Sequence, residues 1–410
     1  MEPGQLSGRR QPNKMKRETS LSPPPLKRQR LQASASDVTQ PKSTSTQPPA
    51  PESPNKAIRI ISWNINGLQP FIPASAAPIT SYFKPIRPDP TTTSTPSPQH
   101  PPNSLRAFLS RHSWPEVLFL QELKISPPSQ PRIASALLTT LNTPLSPTDV
   151  PTPETSYTVA DMVLPRDRFN AKGFNGRLYG VGTILRKDFA QRHVRCVRRV
   201  DWDLEGRVGV VETREGRNGR RPLALVNVYA VNGTSAPYMD PATGKAEGRT
   251  RHDHKIAFHS RLRDEAVRLE GEGLDVVIAG DLNVARGRWD GHPNLRTWPP
   301  RHCRNREDFN RKFFGRGDCL RAGVDVEGVE EAETGFDGVD VFRAVHGGER
   351  RYTYYPRTRQ WGTSADRVDL IIVSRRMWEE GRVRGTDILD TPLERGPSDH
   401  VPLWVDVVVE

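Results

Sequence analysis

Short apolar runs that end in polar residues recur along the chain and predict buried strands. The clearest lies in residues 275–283, where the run from Val276 to Ala279 is followed by Gly280, Asp281 and Asn283. A run of Val and Ile this short favours a strand over a helix, and Gly280 lets the backbone turn. Asp281 and Asn283 are two positions apart, so in extended chain their side chains point the same way. The stretch therefore predicts a carboxylate and an amide side by side at a strand end.

The same pattern occurs elsewhere, and its recurrence indicates a shared site rather than a series of polar turns. Further predicted strands cover residues 58–63, 117–120, 180–185, 207–211, 223–228, 351–355, 367–373 and 405–409. Predicted helices cover 105–112, 133–141 and 250–271, the last with Phe258, Leu262, Ala266 and Leu269 on one face. The polar residues that flank the strands are Asn64, Asn66, Glu122, Tyr229, Asn232, Asp281, Asn283, Asp369, Asp399 and His400.

Composition divides the chain into a tail and one domain. Residues 1–56 are rich in Pro, Ser, Thr and Gln with almost no large apolar side chains, so we expect disorder there. Residues 57–410 form the predicted catalytic domain, with Pro-rich surface insertions at about 69–103 and 126–153. There is no internal repeat and no second compact domain in the pattern, and we expect a monomer.

The net charge of +12 predicts a polyanionic partner, most simply nucleic acid. About half of it, +6, lies in residues 1–56. A second basic stretch, 286–316, is predicted to be a long polar loop in which basic and aromatic side chains alternate. Such a loop suits a groove that grips phosphates and stacks on bases, although its aromatics could instead be packed into the body. Its members are Arg286, Arg288, Arg296, Arg301, Arg304, Arg306, Arg311, Lys312 and Arg316, with Trp289, Trp298, Phe309, Phe313 and Phe314.

Targeting signals favour the nucleus. The three cysteines are not spaced for zinc or for a disulfide framework, which indicates a reducing compartment. No apolar stretch approaches the roughly 20 residues of a membrane helix, and the N-terminus lacks a secretory apolar region. Two basic clusters have near-bipartite import spacing, although a basic tail with general affinity for nucleic acid is the alternative. They are Lys14, Lys16 and Arg17, and Lys27, Arg28 and Arg30.

A segment within the first insertion is similar to a sliding-clamp (PCNA) binding box. Ile79 lies three positions before the paired aromatics Tyr82 and Phe83. The glutamine that usually opens the box is missing, because Ala76 stands in its place. The segment gives a weak prediction of clamp binding.

The flanking polar residues have the chemistry of a hard-metal site. Carboxylates dominate, amides assist, and there is one histidine, His400. Without a Cys/His cluster a structural zinc site is excluded, and oxygen ligands suit Mg²⁺, with Mn²⁺ as the alternative. No phosphate-binding Gly-x-x-x-x-Gly-Lys loop is present, which argues against NTP hydrolysis.

Six motifs in order resemble the exonuclease III family of abasic-site (AP) endonucleases, in the DNase I-like endonuclease/exonuclease/phosphatase superfamily. The resemblance implies a four-layer α/β sandwich, two central β-sheets flanked by helices. It also implies a Mg²⁺-dependent DNA repair nuclease with AP endonuclease, 3′-phosphodiesterase and 3′→5′ exonuclease activities in unknown proportions. The motifs are Ser62-Trp-Asn64-Ile-Asn66-Gly67-Leu, Leu120-Gln-Glu122-Leu-Lys124, Tyr229-Ala-Val-Asn232, Gly280-Asp281-Leu-Asn283, Arg367-Val-Asp369 and Ser398-Asp399-His400-Val-Pro402.

The resemblance also implies a role for each matched residue. Glu122 is the main metal ligand, with Asn66 near it and Asp399 able to support a metal. Asp281 orients or deprotonates the attacking water, Asn283 helps to hold that water or the phosphate, and both lie within reach of the metal. His400, oriented by Asp369, stabilises charge on the phosphate, which Asn64, Tyr229 and Asn232 position.

One departure from the family pattern concerns substrate choice. Several abasic endonucleases of the family carry a large apolar residue three positions before the aspartate that Asp369 matches, and this chain has Asp366 there. Tyr354 matches an aromatic residue of the pocket for the flipped-out sugar. An acid at that pocket edge would weaken the grip on a base-free deoxyribose. Two alternatives stay open: a tyrosyl-DNA phosphodiesterase-like enzyme, and a catalytically silent DNA-binding scaffold.

Overall fold

Two six-stranded sheets form the centre of the protein. This computed structural model describes residues 57–72, 103–324 apart from 172, 174–175 and 217–218, and 335–409. The strands of the first sheet are β1 (Ala57–Asn64), β2 (Val117–Gln121), β3 (Tyr157–Val163), β4 (Val181–Arg186), β15 (Val383–Ile388) and β16 (Leu403–Val408). Those of the second are β5 (Val194–Arg199), β6 (Val208–Thr213), β7 (Leu223–Tyr229), β10 (Asp275–Asp281), β12 (Gly338–Asp340) and β14 (Asp369–Ser374).

Helices and two short ribbons complete the described part of the chain. The helices are α1 (Leu105–Arg111), α2 (Gln130–Asn142), α3 (Lys187–His193), α4 (Arg251–Gly271), α5 (Pro300–Phe313), α6 (Arg316–Arg321), α7 (Val341–His346), α8 (Arg375–Glu379) and α9 (Pro392–Arg395). The ribbons pair β8 (Pro237–Met239) with β9 (Ala246–Thr250), and β11 (Gly291–His292) with β13 (Ala365–Asp366).

The two sheets have matching plans, and each contains one parallel pair. The strand orders are β15-β16-β1-β2-β4-β3 and β12-β14-β10-β7-β6-β5. β1 runs parallel to β2, and β7 runs parallel to β10, while their other neighbours are antiparallel. The carboxyl ends of a parallel pair lie at the same edge of its sheet, which is where polar residues follow the apolar runs.

The layers follow from which faces of the strands are apolar. Between the sheets, Ile60 and Phe119 of the first sheet pack in one buried cluster with Leu225 and Val277 of the second. The outer face of the first sheet packs against α1 and α2, and that of the second against α4 and α5. The order helix, sheet, sheet, helix confirms the predicted four-layer α/β sandwich.

Helix α4 shows how the sequence builds an outer layer. Thr250 accepts a hydrogen bond from the backbone of Asp253, whose side chain accepts one from Thr250 N, which closes a capping box at the start of the helix. Phe258, Leu262 and Leu269 are buried on one face against the second sheet. The predicted helix over 250–271 is confirmed.

The structure corrects the outline of both predicted insertions. Residues 126–153 contain α2, whose Leu137 and Leu141 are buried against the first sheet, so most of this stretch is a layer of the fold. In the other stretch, Phe71 and Ile72 are buried, so the core extends beyond the predicted start at residue 69. The helix predicted over 133–141 is present as α2, but the proline content of the flanking residues placed it within an insertion rather than in the core.

Two other predictions were wrong. The stretch 286–316 is not a loop throughout, because it contains helix α5. Phe309, Phe313 and Phe314 pack in the core with at most 2% exposure, as the alternative interpretation of its aromatics expected. Their spacing fits one helix face, which the many arginines of the stretch obscured. The aromatic stretch 351–355 is not a strand: Tyr354 forms isolated bridges to Asp366 and His400.

Several predictions concern residues outside those that the structure describes. The clamp-box residues Ile79, Tyr82 and Phe83 and the two basic clusters in residues 14–17 and 27–30 are among them. No helix in the described ranges is both long enough and apolar enough to cross a membrane.

Candidate active site

The carboxyl ends of the central strands bring the predicted catalytic residues together. Asn64 ends β1 and pairs in register with Gln121, the residue before Glu122. In the second sheet, Asp281 pairs with Tyr229 of β7 on one side and with Asp369 of β14 on the other. Sheet register therefore fixes the spacing of side chains that are far apart in sequence.

Gly280 explains how Asp281 reaches this position. Its φ of +151° places it where side chains rarely occur, and a Cβ at this position would lie 1.9 Å from Val228 O. Only glycine allows the backbone of β10 to approach β7 this closely before the catalytic aspartate.

His400 lies between two buried carboxylates. Its Nδ1 is 2.7 Å from Asp369 Oδ2, and its Nε2 is 4.0 Å from Asp281 Oδ2 and 3.5 Å from Asn64 Nδ2. Asn64 Nδ2 in turn donates to Asp281 Oδ2 at 2.9 Å. The bond to Asp369 fixes the ring so that Nε2 faces the cleft.

The loop that carries His400 is tied to β1. Ser398 Oγ donates to Asn64 O at 2.7 Å and accepts from His400 N at 3.0 Å, and Trp63 Nε1 donates to His400 O at 3.1 Å. These bonds attach the closing Ser-Asp-His motif to the first strand, so the motif is more than a capped turn.

Buried carboxylates around this site raise the pKa values of both His400 and Asp281. Burial opposes the charged imidazolium, but the Asp369 and Asp281 carboxylates raise the pKa of His400 to about 10. Burial and the neighbouring Asp369 carboxylate raise the pKa of Asp281 to about 7. At neutral pH His400 is thus a charged hydrogen-bond donor, and Asp281 has the proton affinity of an effective general base.

A second cluster of oxygen donors lies beside this one, at Asn66, Glu122 and Asp399. Asn66 Nδ2 donates to Asp399 Oδ1 at 2.7 Å. The Lys124 ammonium contacts Asn66 Oδ1 and lies 3.0 Å from Glu122 Oε1, so a cation already sits between these two side chains. The donor set and the position of Lys124 fit a site for a hard divalent cation.

The backbone of this cluster is held in an uncommon conformation. Asn66, Glu122 and Lys124 have φ of 53°, 59° and 51°, in the left-handed region that such side chains rarely adopt. Asn283 shares it, with φ of 54°. Backbone strain of this kind is concentrated at functional sites, and here it coincides with three predicted site residues and with Lys124 beside them.

Asp281, Asp369 and His400 form a separate group whose ligand atoms lie within 4.8 Å of one another. The oxygen donors of the Glu122 cluster suit a hard cation better than this group does. His400 Nδ1 and Asp369 Oδ2 already bond each other, and Asp281 Oδ1 and Oδ2 accept hydrogen bonds from Asn283 N and Asn64. An imidazolium between two carboxylates is a stable arrangement without a metal.

The remaining predicted residues lie around the same cleft. Asn283 Nδ2 donates to Ala230 O at 2.9 Å, which holds the amide beside Asp281. Tyr229 is buried, and burial together with the Glu122 carboxylate raises its pKa well above the usual value, so its hydroxyl stays protonated. Asn232 is exposed and lines the cleft from the following loop. The structure thus places all ten predicted residues at one site.

Sequence and structure comparisons agree with this geometry. Residues 61–400 match the Endonuclease/Exonuclease/phosphatase family. The chain belongs to this family. An AP endonuclease from Leishmania major has a similar fold, with a TM-score of 0.53 and 18% identity over 86% of this chain and 88% of that one. The APE2 catalytic domain from Xenopus laevis is similar at a TM-score of 0.50 and 18% identity, over 86% and 93% of the two chains. No curated protein matches the sequence.

The site opens into a cleft of about 300 Å³ that is lined by both acidic and basic side chains. Glu122 and Asp399 lie at the acidic end. Tyr354, whose ring centroid is 5.0 Å from that of His400, forms part of a wall with Asp366. Burial raises the pKa of Asp366, and the charges of Arg296 and Arg306 oppose this shift. The structure therefore places the Asp366 carboxylate in the cleft wall, as predicted.

The opposite end of the cleft is basic and was not predicted as part of the catalytic site. Lys255 of α4 lines it, together with His302, Asn305 and Arg306 of α5. Arg296 and Arg306 had been assigned to a DNA-gripping loop, and the structure brings both to the cleft. Lys255 was missed because it lies inside a helix rather than at a strand end. Its place on the buried face, one turn before His259, was the available signal.

Proposed function

We propose that this chain is a divalent-metal-dependent DNA repair nuclease that hydrolyses phosphodiester bonds at abasic sites or at 3′ ends. The observation that carries the proposal is the convergence of a general base, an imidazolium and an oxygen-donor cation site on one cleft. Phosphodiester hydrolysis requires little else, because it depends on in-line positioning and on neutralising charge on the phosphoryl oxygens.

Each group has a distinct task in this proposal. Asp281 takes a proton from the attacking water, which Asn283 helps to hold. His400 donates from Nε2 to the scissile phosphate, and Asn64, Tyr229 and Asn232 position that phosphate. Asp369 acts through His400, by fixing its orientation and its charge.

Glu122 and Asp399, with Asn66, would hold Mg²⁺ or Mn²⁺. The cation would supply positive charge next to the phosphoryl oxygens. Lys124 has to leave its position between Asn66 and Glu122 when a metal binds, because both cations use the same oxygen atoms. We therefore expect metal binding to be measurable without turnover, as an increase in Tm.

Substrate preference within this class depends on the cleft wall. The protein of similar fold from Leishmania major is an AP endonuclease, which supports DNA as the substrate. The Asp366 carboxylate in the wall disfavours an apolar, base-free sugar. We propose that 3′-end processing contributes at least as much as incision at abasic sites.

The experiment uses labelled oligonucleotides with Mg²⁺ or Mn²⁺. The substrates are a duplex with an abasic analogue, a recessed 3′ end, a 3′-phosphate and a 5′-phosphotyrosine. We expect cleavage of the first three. Hydrolysis of the phosphotyrosine alone would favour a tyrosyl-DNA phosphodiesterase, and binding without any cleavage would favour a silent scaffold.

Three variants test the assigned roles. Asp281→Ala should lower kcat by roughly 10²–10⁴-fold, the usual effect of losing a general base. Glu122→Ala should abolish both cleavage and the metal-induced rise in Tm. Glu215→Ala is the matched control, because Glu215 is exposed between β6 and β7, at the end of the sheet away from the cleft. Full activity of either site variant would refute its role.

A further inference from the structure

Lys255 is a buried cation at the basic end of the cleft. It lies in the second turn of α4, is 3% exposed and lines the cleft wall. Its ammonium donates to Asn283 O at 2.7 Å, beside the residue assigned to hold the attacking water. Burial lowers its pKa to about 7. A lysine in such a place loses much of its hydration, and a single carbonyl compensates little of that loss.

Lys255 differs from every other buried cation in the described residues. Each buried arginine there forms a salt bridge with a carboxylate, whereas Lys255 forms none. The buried arginines are Arg106, Arg186, Arg207, Arg251, Arg286, Arg343, Arg367 and Arg382. Because buried charges are normally paired, the lack of a salt bridge within the described residues indicates that Lys255 can take an anionic partner from outside them.

Arg306 faces the same end of the cleft in a similar state. Its Nε donates to Ala285 O at 2.7 Å and its Nη2 to Arg296 O at 2.6 Å. In the described part of the chain it has no salt-bridge partner, and burial lowers its pKa. Asn305 completes this end, with its amide 2.8 Å from His252 Nδ1. Two cations and an amide thus line one wall. The charges of Asp281 and Asp366 act on Lys255 and Arg306 respectively, but neither cation forms a salt bridge with a carboxylate of the described residues.

We propose that Lys255, Arg306 and Asn305 form a second phosphate subsite, which binds the DNA phosphate next to the scissile one on the same strand. The subsite rests on the proposed function, since it adjoins the site assigned to the scissile phosphate. A phosphodiester carries the missing negative charge, and its oxygens accept the charge-assisted hydrogen bonds that a lysine and an arginine donate. A small phosphate monoester has no second phosphate and leaves the subsite empty.

The test removes one DNA charge and one protein charge at a time. Duplexes with an abasic analogue carry a single neutral methylphosphonate on either side of the scissile position or at a distant position. Binding is measured by fluorescence anisotropy in EDTA, so no cleavage is needed. For the wild type, one neighbouring methylphosphonate should weaken binding by roughly tenfold or more, the effect of losing a hydrogen bond to a charged group.

Lys255→Met should remove that sensitivity. The variant should bind the unmodified duplex about as weakly as the wild type binds the sensitive methylphosphonate duplex, and combining both changes should cost little more. Its salt slope, log Kd against log salt, should fall by about one. Because methionine replaces an unpaired buried charge, Tm should stay the same or rise, whereas a lysine with a structural role would lower it.

Controls separate this outcome from its alternatives. Lys187→Met removes an exposed cation after β4, at the end of the sheet away from the cleft, and should leave the methylphosphonate pattern unchanged. If Lys255→Met does not fold, Arg306→Gln tests the same coupling. Equal loss of affinity for every duplex, or unchanged binding with a lower kcat, would overturn the subsite.

The two proposals fail in different ways. If Lys255→Met removes the sensitivity to one methylphosphonate but no duplex is cleaved, the subsite is supported and the nuclease is refuted. If the duplexes are cleaved but Lys255→Met leaves the sensitivity unchanged, the nuclease is supported and the subsite is refuted.

Discussion

At the scale of single residues, charge placement decides what His400 can do. Burial alone would leave a neutral imidazole, but the Asp369 carboxylate at 2.7 Å and the Asp281 carboxylate at 4.0 Å hold it charged. The folded-state pKa of about 10 lies above the unfolded value of 6.5. Its contribution to stability is therefore fully present below pH 6.5 and is lost as the pH rises through about 10.

Asp369→Asn should lower the pKa of His400, because it removes the charge that favours the imidazolium. NMR titration of the His400 imidazole measures this directly. The difference in unfolding free energy from the wild type should be largest below pH 6.5 and should shrink toward pH 10. We expect kcat to fall about 100-fold at neutral pH, as for the loss of one charged donor to the transition state. An unchanged pKa of His400 in this variant would show that the Asp369 carboxylate does not stabilise the imidazolium.

Asp366 tests substrate choice at the same scale. Its backbone pairs with Tyr354 at 2.8 and 3.1 Å through main-chain atoms, so a substitution leaves this connection intact. Asp366→Leu should raise the ratio of kcat/KM for an abasic duplex to that for a recessed 3′ end by roughly tenfold, the effect of a modest change in pocket polarity.

Asp366→Asn provides the comparison, since it removes the charge but keeps the wall polar. It should shift the ratio less than leucine does. A ratio that is the same in the wild type and in both variants would mean that this wall does not select the substrate.

At the scale of elements, the sequence predicted the strands that are buried on both faces. Central strands such as β7 and β10 are continuous apolar runs, and their ends carry the catalytic residues. Edge strands β5 and β15 were missed, because Val194–Arg199 and Val383–Ile388 are half-exposed and rich in polar residues. The catalytic residues at strand ends could therefore be predicted from local sequence. Lys255 could not, because it reaches the cleft through the packing of helix α4, which local sequence patterns do not specify.

A buried charge network connects several of these elements below the site. Arg286 follows β10, Asp340 ends β12, and Arg367 lies two residues before β14; all three are fully buried. Arg367 Nη2 and Arg286 Nη1 each donate to Asp340 Oδ2 at 2.7 Å. This network sets the start of β14, and hence the position of Asp369 two residues later.

Asp340→Asn should destabilise the protein by roughly 3–5 kcal/mol, because buried Arg286 loses its carboxylate partner and buried Arg367 keeps only Asp290. Urea denaturation measures the change. Asp264→Asn is the control: its carboxylate is 61% exposed and pairs with the adjacent Arg263, so its effect should stay within about 0.5 kcal/mol. A loss for Asp340→Asn as small as that of the control would show that the network does not support the fold.

At the scale of the whole molecule, the charge of the N-terminal segment is separate from the chemistry of the cleft. Residues 2–51 contain nine basic and three acidic residues, half of the net +12 of the chain. The described fold begins at Ala57, whose strand pairs with Val408 near the other end of the chain. We propose that the segment adds general DNA affinity and carries the nuclear import signal, while the domain supplies specificity.

Deleting residues 2–51 should make DNA binding less salt-dependent without changing catalysis. Each lost phosphate contact lowers the slope of log Kd against log salt by about one, whereas Tm and kcat at saturating DNA should match the full chain. A second variant keeps the full chain length but replaces the six clustered basic residues, at positions 14, 16, 17, 27, 28 and 30, with Gln. It should show the same lower salt slope. A fluorescent fusion of this variant should also fail to accumulate in the nucleus. An unchanged slope would place all the DNA-binding charge in the domain, and unchanged nuclear accumulation would refute the import signal.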